Sequence, residues 1–245
     1  MHLLRTPSFV LSALFTTILL GASAKVAEPA TPVIPTTNVR TVSGNNNLSS
    51  EELFTELNLG SLGLAERVFD AAFTGMQKLV DAGEVHRSDL LTIIDMSQPS
   101  TQKRLYVLDL DTHRVLFNTL VAHGRNSGRL WANSFSNSLS SLKSSPGFYL
   151  TGETYNGDNG YSLRLDGLEK NINDHARARD IVLHGAPYVA ENTVSSLGYL
   201  GRSWGCPAVP MDVHEDIINT IKDGSCLFIY TPNQKYLKKS PILNS

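Results

Sequence analysis

From residue 90 onward the chain is cut into short apolar and β-branched runs, none long enough for a stable helix. They fall at residues 90–94, 105–110, 115–121, 148–151, 162–165, 181–184 and 226–231. Polar turns such as Asp111-Thr112-His113-Arg114 and stretches rich in Gly, Ser and Asn separate them. Runs of this length between turn residues read as strands. One later segment, 213–221, has helical spacing, with Asp212 as its expected cap and Gly224 after its end. Many strands and one late helix predict a mostly β domain. At 245 residues, 41% hydrophobic and 18% charged, the chain can bury a core of that kind. The length suits one large domain with an extension.

The extension is read from the other end. Arg5 precedes a stretch, 9–20, that is apolar apart from Ser12, Thr16 and Thr17, and Ala22-Ser23-Ala24 follows as an A-x-A site. That pattern predicts a secretory signal over 1–24, with a mature chain starting at Lys25. About 12 apolar residues fall short of the roughly 20 that span a bilayer, so no membrane span is expected in the mature protein. Pro29, Pro32 and Pro35, then Asn45-Asn46-Asn47, make 25–47 a flexible linker. Ser49-Ser50-Glu51-Glu52 starts a helix. Apolar residues from Leu53 to Val80 then recur at helical spacing, with Gly60 and Gly63 breaking the run. The expected organisation is a helical extension at 48–85, a β domain at 86–235 and a tail at 236–245. A net charge of −2 with no run of basic residues offers no field for nucleic acid.

Chemistry concentrates in Arg202-Ser203-Trp204-Gly205-Cys206-Pro207-Ala208-Val209-Pro210. Gly205 permits close backbone approach, and Pro207 fixes the chain just after the sulfur. Ser203 and Trp204 are poor strand fillers and suit a cleft. Cys226, entering the apolar run 226–231, reads as a structural thiol. A nucleophilic cysteine needs a base or a cation beside it. His184 ends an apolar strand before Gly185-Ala186-Pro187 and is the strongest candidate; His123, before Gly124, is its rival or helper. A zinc hydrolase built on His123, His184 and Cys206 is the metal alternative, but the chain has no tight ligand pair such as H-E-x-x-H.

His184-Gly185 followed by Ser203-x-Gly205-Cys206 resembles the signature of the L,D-transpeptidase catalytic domain, the YkuD-like family. Trp-Gly-Cys-Pro-Ala-Val-Pro is similar to the murein L,D-transpeptidase branch, as are Phe135-Ser136-Asn137, Ser144-Ser145-Pro146-Gly147, Thr151-Gly152-Glu153-Thr154-Tyr155 and the segment 162–168. Two positions depart from the commoner pattern: Trp204 replaces a histidine, and Ala208 stands where an arginine often follows. The resemblance implies a β-sandwich catalytic domain acting on peptidoglycan stem peptides, with Cys206 as nucleophile and His184 as base. It also implies that the Gly185 carbonyl orients His184 and that the Gly205 and Cys206 amides form the oxyanion site. No metal or diffusible cofactor is implied. Without an arginine at 208, Arg164, Arg177, Arg179 and Arg202 are the candidates for substrate carboxylates; Tyr161 and Trp204 are candidate apolar walls. Asn173-Asp174-His175 is a candidate substrate-facing turn. A periplasmic or cell-wall location and a carbapenem adduct on Cys206 are expected with it. Water as acceptor would give an L,D-carboxypeptidase or endopeptidase instead, and loss of the reaction a non-catalytic wall-binding protein.

Overall fold

The seven short runs become strands of one sheet, joined by an eighth strand that the sequence reading did not contain. The computed structural model describes residues 48–244, so the expected signal at 1–24 and linker at 25–47 lie outside the described residues. The strands are β1 (Arg87–Asp95), β2 (Leu105–Asp109), β3 (Arg114–Thr119), β4 (Gly147–Gly157), β5 (Gly160–Gly167), β6 (Val182–Gly185), β7 (Ala208–Val209) and β8 (Ser225–Tyr230). Their order is β3-β2-β1-β8-β4-β5-β6-β7. Neighbours are antiparallel except β1 with β8 and β6 with β7. The sheet curls until its edges meet: Ala122, just beyond β3, bridges Ala208 on β7, and Gly124 bridges Ser203.

Alternation along the strands sorts side chains between two cores. On β8, Leu227 and Ile229 enter the interior with Leu105, Val107, Leu163, Leu165 and Cys206, while Cys226, Phe228 and Tyr230 join the opposite core. The two cysteines therefore belong to different cores of the sheet.

The helical run forms three pieces: α1 (Ser50–Glu56), a 3₁₀ turn (Leu59–Leu62) and α2 (Glu66–Asp81). Ser49 and Glu52 cap α1 reciprocally, as the sequence suggests. Phe69, Ala72, Met76 and Leu79 of α2 pack into the core that holds Phe148 and Phe228. Among the described residues no helix is long and apolar enough to cross a membrane.

The structure differs from the sequence reading in the later helices. The helix expected at 213–221 is α4 (His214–Ile221), capped by Val213, and Asp212 supplies no cap bond. The Met211 carbonyl instead pairs with the His214 ring, which tightens the entry turn. Two short helices, α3 (Glu191–Leu197) and α5 (Gln234–Lys239), were invisible because each spans about two turns and shows no readable period. Within the expected tail, Tyr236 and Ser240 are buried and anchor it to the domain. The Tyr236 and Ser240 hydroxyls donate to the buried Glu169 carboxylate, which also accepts the Phe148 amide at 2.9 Å. Glu169→Ala leaves three buried donors without an acceptor, so urea unfolding should show a loss of about 2–3 kcal/mol. A loss within about 0.5 kcal/mol, the range of ordinary surface changes, would mean that this carboxylate does not fasten the carboxyl terminus.

Candidate active site

β6 carries its apolar residues into the core and brings His184 to the end of the strand. His184 is 4% exposed. Its Nδ1 lies 2.9 Å from the Gly185 carbonyl, which can only accept; Nδ1 therefore carries the proton and Nε2 is the basic nitrogen. Burial pushes the His184 pKa down; the Gly185 carbonyl opposes this and the nearby His214 ring adds to it. Glycine at 185 is required by that ring, because a Cβ would stand 2.6 Å from His214 Cγ.

Cys206 reaches the same cleft because β7, which follows it, pairs with β6 and sets His184 opposite Ala208. The loop before it is tightly braced. Ser203 Oγ donates to the Cys206 carbonyl at 2.6 Å and accepts the Gly205 amide at 3.1 Å. Ser144 Oγ donates to the Gly205 carbonyl at 3.1 Å. Gly205 has φ +135°, and a Cβ there would meet the Lys143 carbonyl at 2.9 Å. The Cys206 thiol donates to the Asp180 carbonyl at 3.5 Å. Burial pushes the thiol pKa up; a hydrogen bond from the Val182 backbone and the Arg179 charge pull it back. At neutral pH the resting pair is thus a thiol and a neutral imidazole.

Both side chains line one cleft of about 710 Å³, together with Arg179, Tyr188, Arg202 and Trp204. Trp204 is 73% exposed and forms a wall of this cleft rather than part of a core. Arg202 Nη1 donates to the Arg125 and Gly128 carbonyls at 3.2 and 3.1 Å; its Nη2 makes no hydrogen bond among the described residues.

Several expected site residues sit elsewhere. His123 is fully buried, its Nδ1 accepting from Arg104 Nη2 at 2.8 Å. Burial and the Arg104 charge push its pKa down to about 4, which removes it as a rival base. Among the described residues no group of three His, Cys, Asp or Glu side chains could hold a metal ion. Arg164 pairs with Glu153 and Asp180 and lies over the Tyr155 ring. Arg177 is held by Glu153 and Asp166. The Tyr161 hydroxyl donates to Asn219 at 2.8 Å, and its ring packs on the interior core. In the 173–175 turn, Asn173 is buried and donates to the Phe148 carbonyl at 2.9 Å. Ser203 braces the cysteine loop, and the Gly205 amide is already taken by it. The Asp180 carbonyl and Tyr188 were missed: a backbone acceptor has no sequence signal, and a tyrosine four residues past His184 has no distinctive one.

A family model described as L,D-transpeptidase catalytic domain matches residues 61–230. No curated protein matches the chain. Among solved structures, an L,D-transpeptidase from Mycobacterium smegmatis is 13% identical, with a TM-score of 0.38, over 58% of this chain and 59% of that one. The helical cell shape determining protein Pgp2 from Campylobacter jejuni is 16% identical, with a TM-score of 0.40, over 70% and 62%. An L,D-transpeptidase solved in complex with imipenem is 15% identical, with a TM-score of 0.36, over 58% and 59%. The chain thus spans about three fifths of the length of these relatives. With the match covering most of its β domain, the chain belongs to the L,D-transpeptidase catalytic domain family.

Proposed function

We propose that the protein is a cysteine L,D-transpeptidase that remodels peptidoglycan stem peptides through a thioester. The observation that carries this reading is one cleft lined by both Cys206 and His184, with His184 Nδ1 tied to the Gly185 carbonyl so that Nε2 is basic. Turning Cys206 Sγ from the Asp180 carbonyl toward His184 lets Nε2 take the thiol proton. The sulfur then attacks the carbonyl carbon of the L-residue in an L–D peptide bond of the donor stem. The resulting oxyanion is met by the Cys206 amide, since the Gly205 amide is engaged by Ser203. Collapse breaks the C–N bond, and His184 returns its proton to the departing D-amino acid. The side-chain amine of a diamino acid in the acceptor stem attacks the thioester, gives its proton to His184 and restores the thiol. Water in that last step would give hydrolysis. Arg202, through its free Nη2, is the cleft arginine placed to meet a stem carboxylate. This reaction places the protein outside the cytoplasmic membrane, where the expected signal would send it.

The test is mass spectrometry of purified muropeptides incubated with the protein. A crosslinked product supports transfer, a trimmed stem alone assigns the carboxypeptidase, and no change in either would leave a wall-binding protein. Imipenem gives a second readout that needs no knowledge of the acceptor. Its strained carbonyl should yield a one-to-one mass adduct, absent in Cys206→Ala, because the leaving amine stays tethered to the acyl group. An adduct on Cys226 would show that the wrong thiol had been chosen.

A further inference from the structure

We infer that Arg179 is the fixed, locally unneutralised cation against which the Cys206 thiolate forms. The inference rests on Cys206 being the nucleophile of the proposed reaction and adds the group that makes its deprotonation feasible in a buried site. A guanidinium carries five N–H donors. Arg179 Nη1 donates to the Ser136 carbonyl at 2.9 Å and Ser145 Oγ at 2.6 Å; Nη2 donates to Ser141 Oγ at 3.2 Å and the Lys143 carbonyl at 2.6 Å. All four acceptors are neutral. Arg164 and Arg177 nearby are both paired with carboxylates, so this charge has been treated differently from its neighbours.

Two observations set that charge against the cysteine loop. Arg179 Nη2 lies 3.3 Å from where a Cβ on Gly205 would be, one residue before the cysteine. The residue after Arg179 supplies the carbonyl that holds the thiol proton at 3.5 Å. Arg179 also lines the cleft with Cys206 and His184. Its fifth donor, Nε, is buried without a hydrogen-bond partner, so no neighbouring group answers that part of the guanidinium. A cation held by neutral groups keeps its full field, which a paired arginine would lose.

The other ionisable groups lining the cleft are Tyr155 from β4, Asp158 from the turn after it, Asp180 beside Arg179, His184 from β6, Tyr188 from the loop after it, and Arg202 on the cysteine loop itself. Asp180 has a largely exposed carboxylate, 81% accessible, paired with Arg164. Tyr188 is a neutral phenol, and burial holds its pKa up at about 12. His184 is neutral above its lowered pKa. Of the two cations that line the cleft across the neutral and alkaline range, Arg179 is the one fixed by four hydrogen bonds and set against Gly205.

The alternative role is purely mechanical, since the same four bonds brace residues 136–145. Iodoacetamide alkylation separates the two, with the adduct on Cys206 followed by mass against pH and Cys206→Ala as background. In Arg179→Gln the inflection should rise, and alkylation at pH 8 should slow about tenfold. Arg179→Lys, which keeps the charge without the fork, should stay within about threefold of the native protein. Ser141→Ala with Ser145→Ala removes two of the braces and no charge, and should leave the inflection where it is. The proposal is overturned if Arg179→Gln keeps the native profile, or if the serine variant shifts it as far as Arg179→Gln does. Should Arg179→Gln fail to fold by circular dichroism, a tenfold slowing in a folded Arg179→Lys overturns it equally. A shifted inflection with no muropeptide turnover would keep the thiolate partner and discard the transpeptidase.

Discussion

Cys206→Ala is expected to remove muropeptide turnover, by more than about 10⁴-fold in kcat/KM, while the protein stays folded. The size of the effect follows from the mechanism. Without the sulfur no acyl group can be held between the two half-reactions, and the other groups of the cleft have nothing to activate. The fold should survive because the thiol's hydrogen bond is a single long contact to the Asp180 carbonyl. The loop is instead set by Ser203, Ser144 and the conformation of Gly205, none of which depends on the cysteine side chain. Circular dichroism and urea unfolding check the second half, with an expected change of about 1 kcal/mol. Turnover within tenfold of the native protein would end the cysteine mechanism. Cys226 cannot substitute for Cys206: it is fully buried in the core under the helices, and burial alone drives its pKa far up.

The part of the site that could be read from sequence is the part encoded locally. Gly205-Cys206-Pro207 and His184-Gly185 each carry their geometry within two or three residues, so their backbone demands are visible in the residue types. The roles of the arginines were not, because nothing in the sequence says that Arg177 meets Glu153 and Asp166 while Arg179 meets only serines and carbonyls. His123 looked like His184, at a strand end before glycine. Closure of the sheet through Ala122 and Ala208 buries it, and that closure joins residues 86 positions apart. β7 escaped notice because two residues cannot show alternation, although it is the strand that lays the segment after Cys206 alongside His184. The strands themselves were legible, as was the break of the helical run at Gly60 and Gly63. The packing of the carboxyl-terminal residues on Glu169 was hidden, since a buried acid has the same letter as a solvated one.

His184→Ala should lower kcat/KM at pH 7 by about 10²–10⁴-fold and change the shape of the pH profile. In the native protein the base works only when neutral, so activity falls as pH drops through the His184 pKa. Burial lowers that pKa, because the imidazolium is the form that loses solvation, and the acid limb should therefore lie below the ordinary histidine value of about 6.5. Removing the imidazole leaves hydroxide as the route to the thiolate. The rate should then climb about tenfold per pH unit until the thiol's own pKa is passed, which burial holds above its usual place. The deficit relative to the native protein must therefore shrink toward alkaline pH. A variant that is merely misfolded would lose activity by the same factor throughout, and a constant deficit with the native acid limb retained would pass the base role to another group. His184→Gln offers the sharper comparison, because it fills the space between Gly185 and the cleft without supplying a base. It should show the same alkaline climb as His184→Ala.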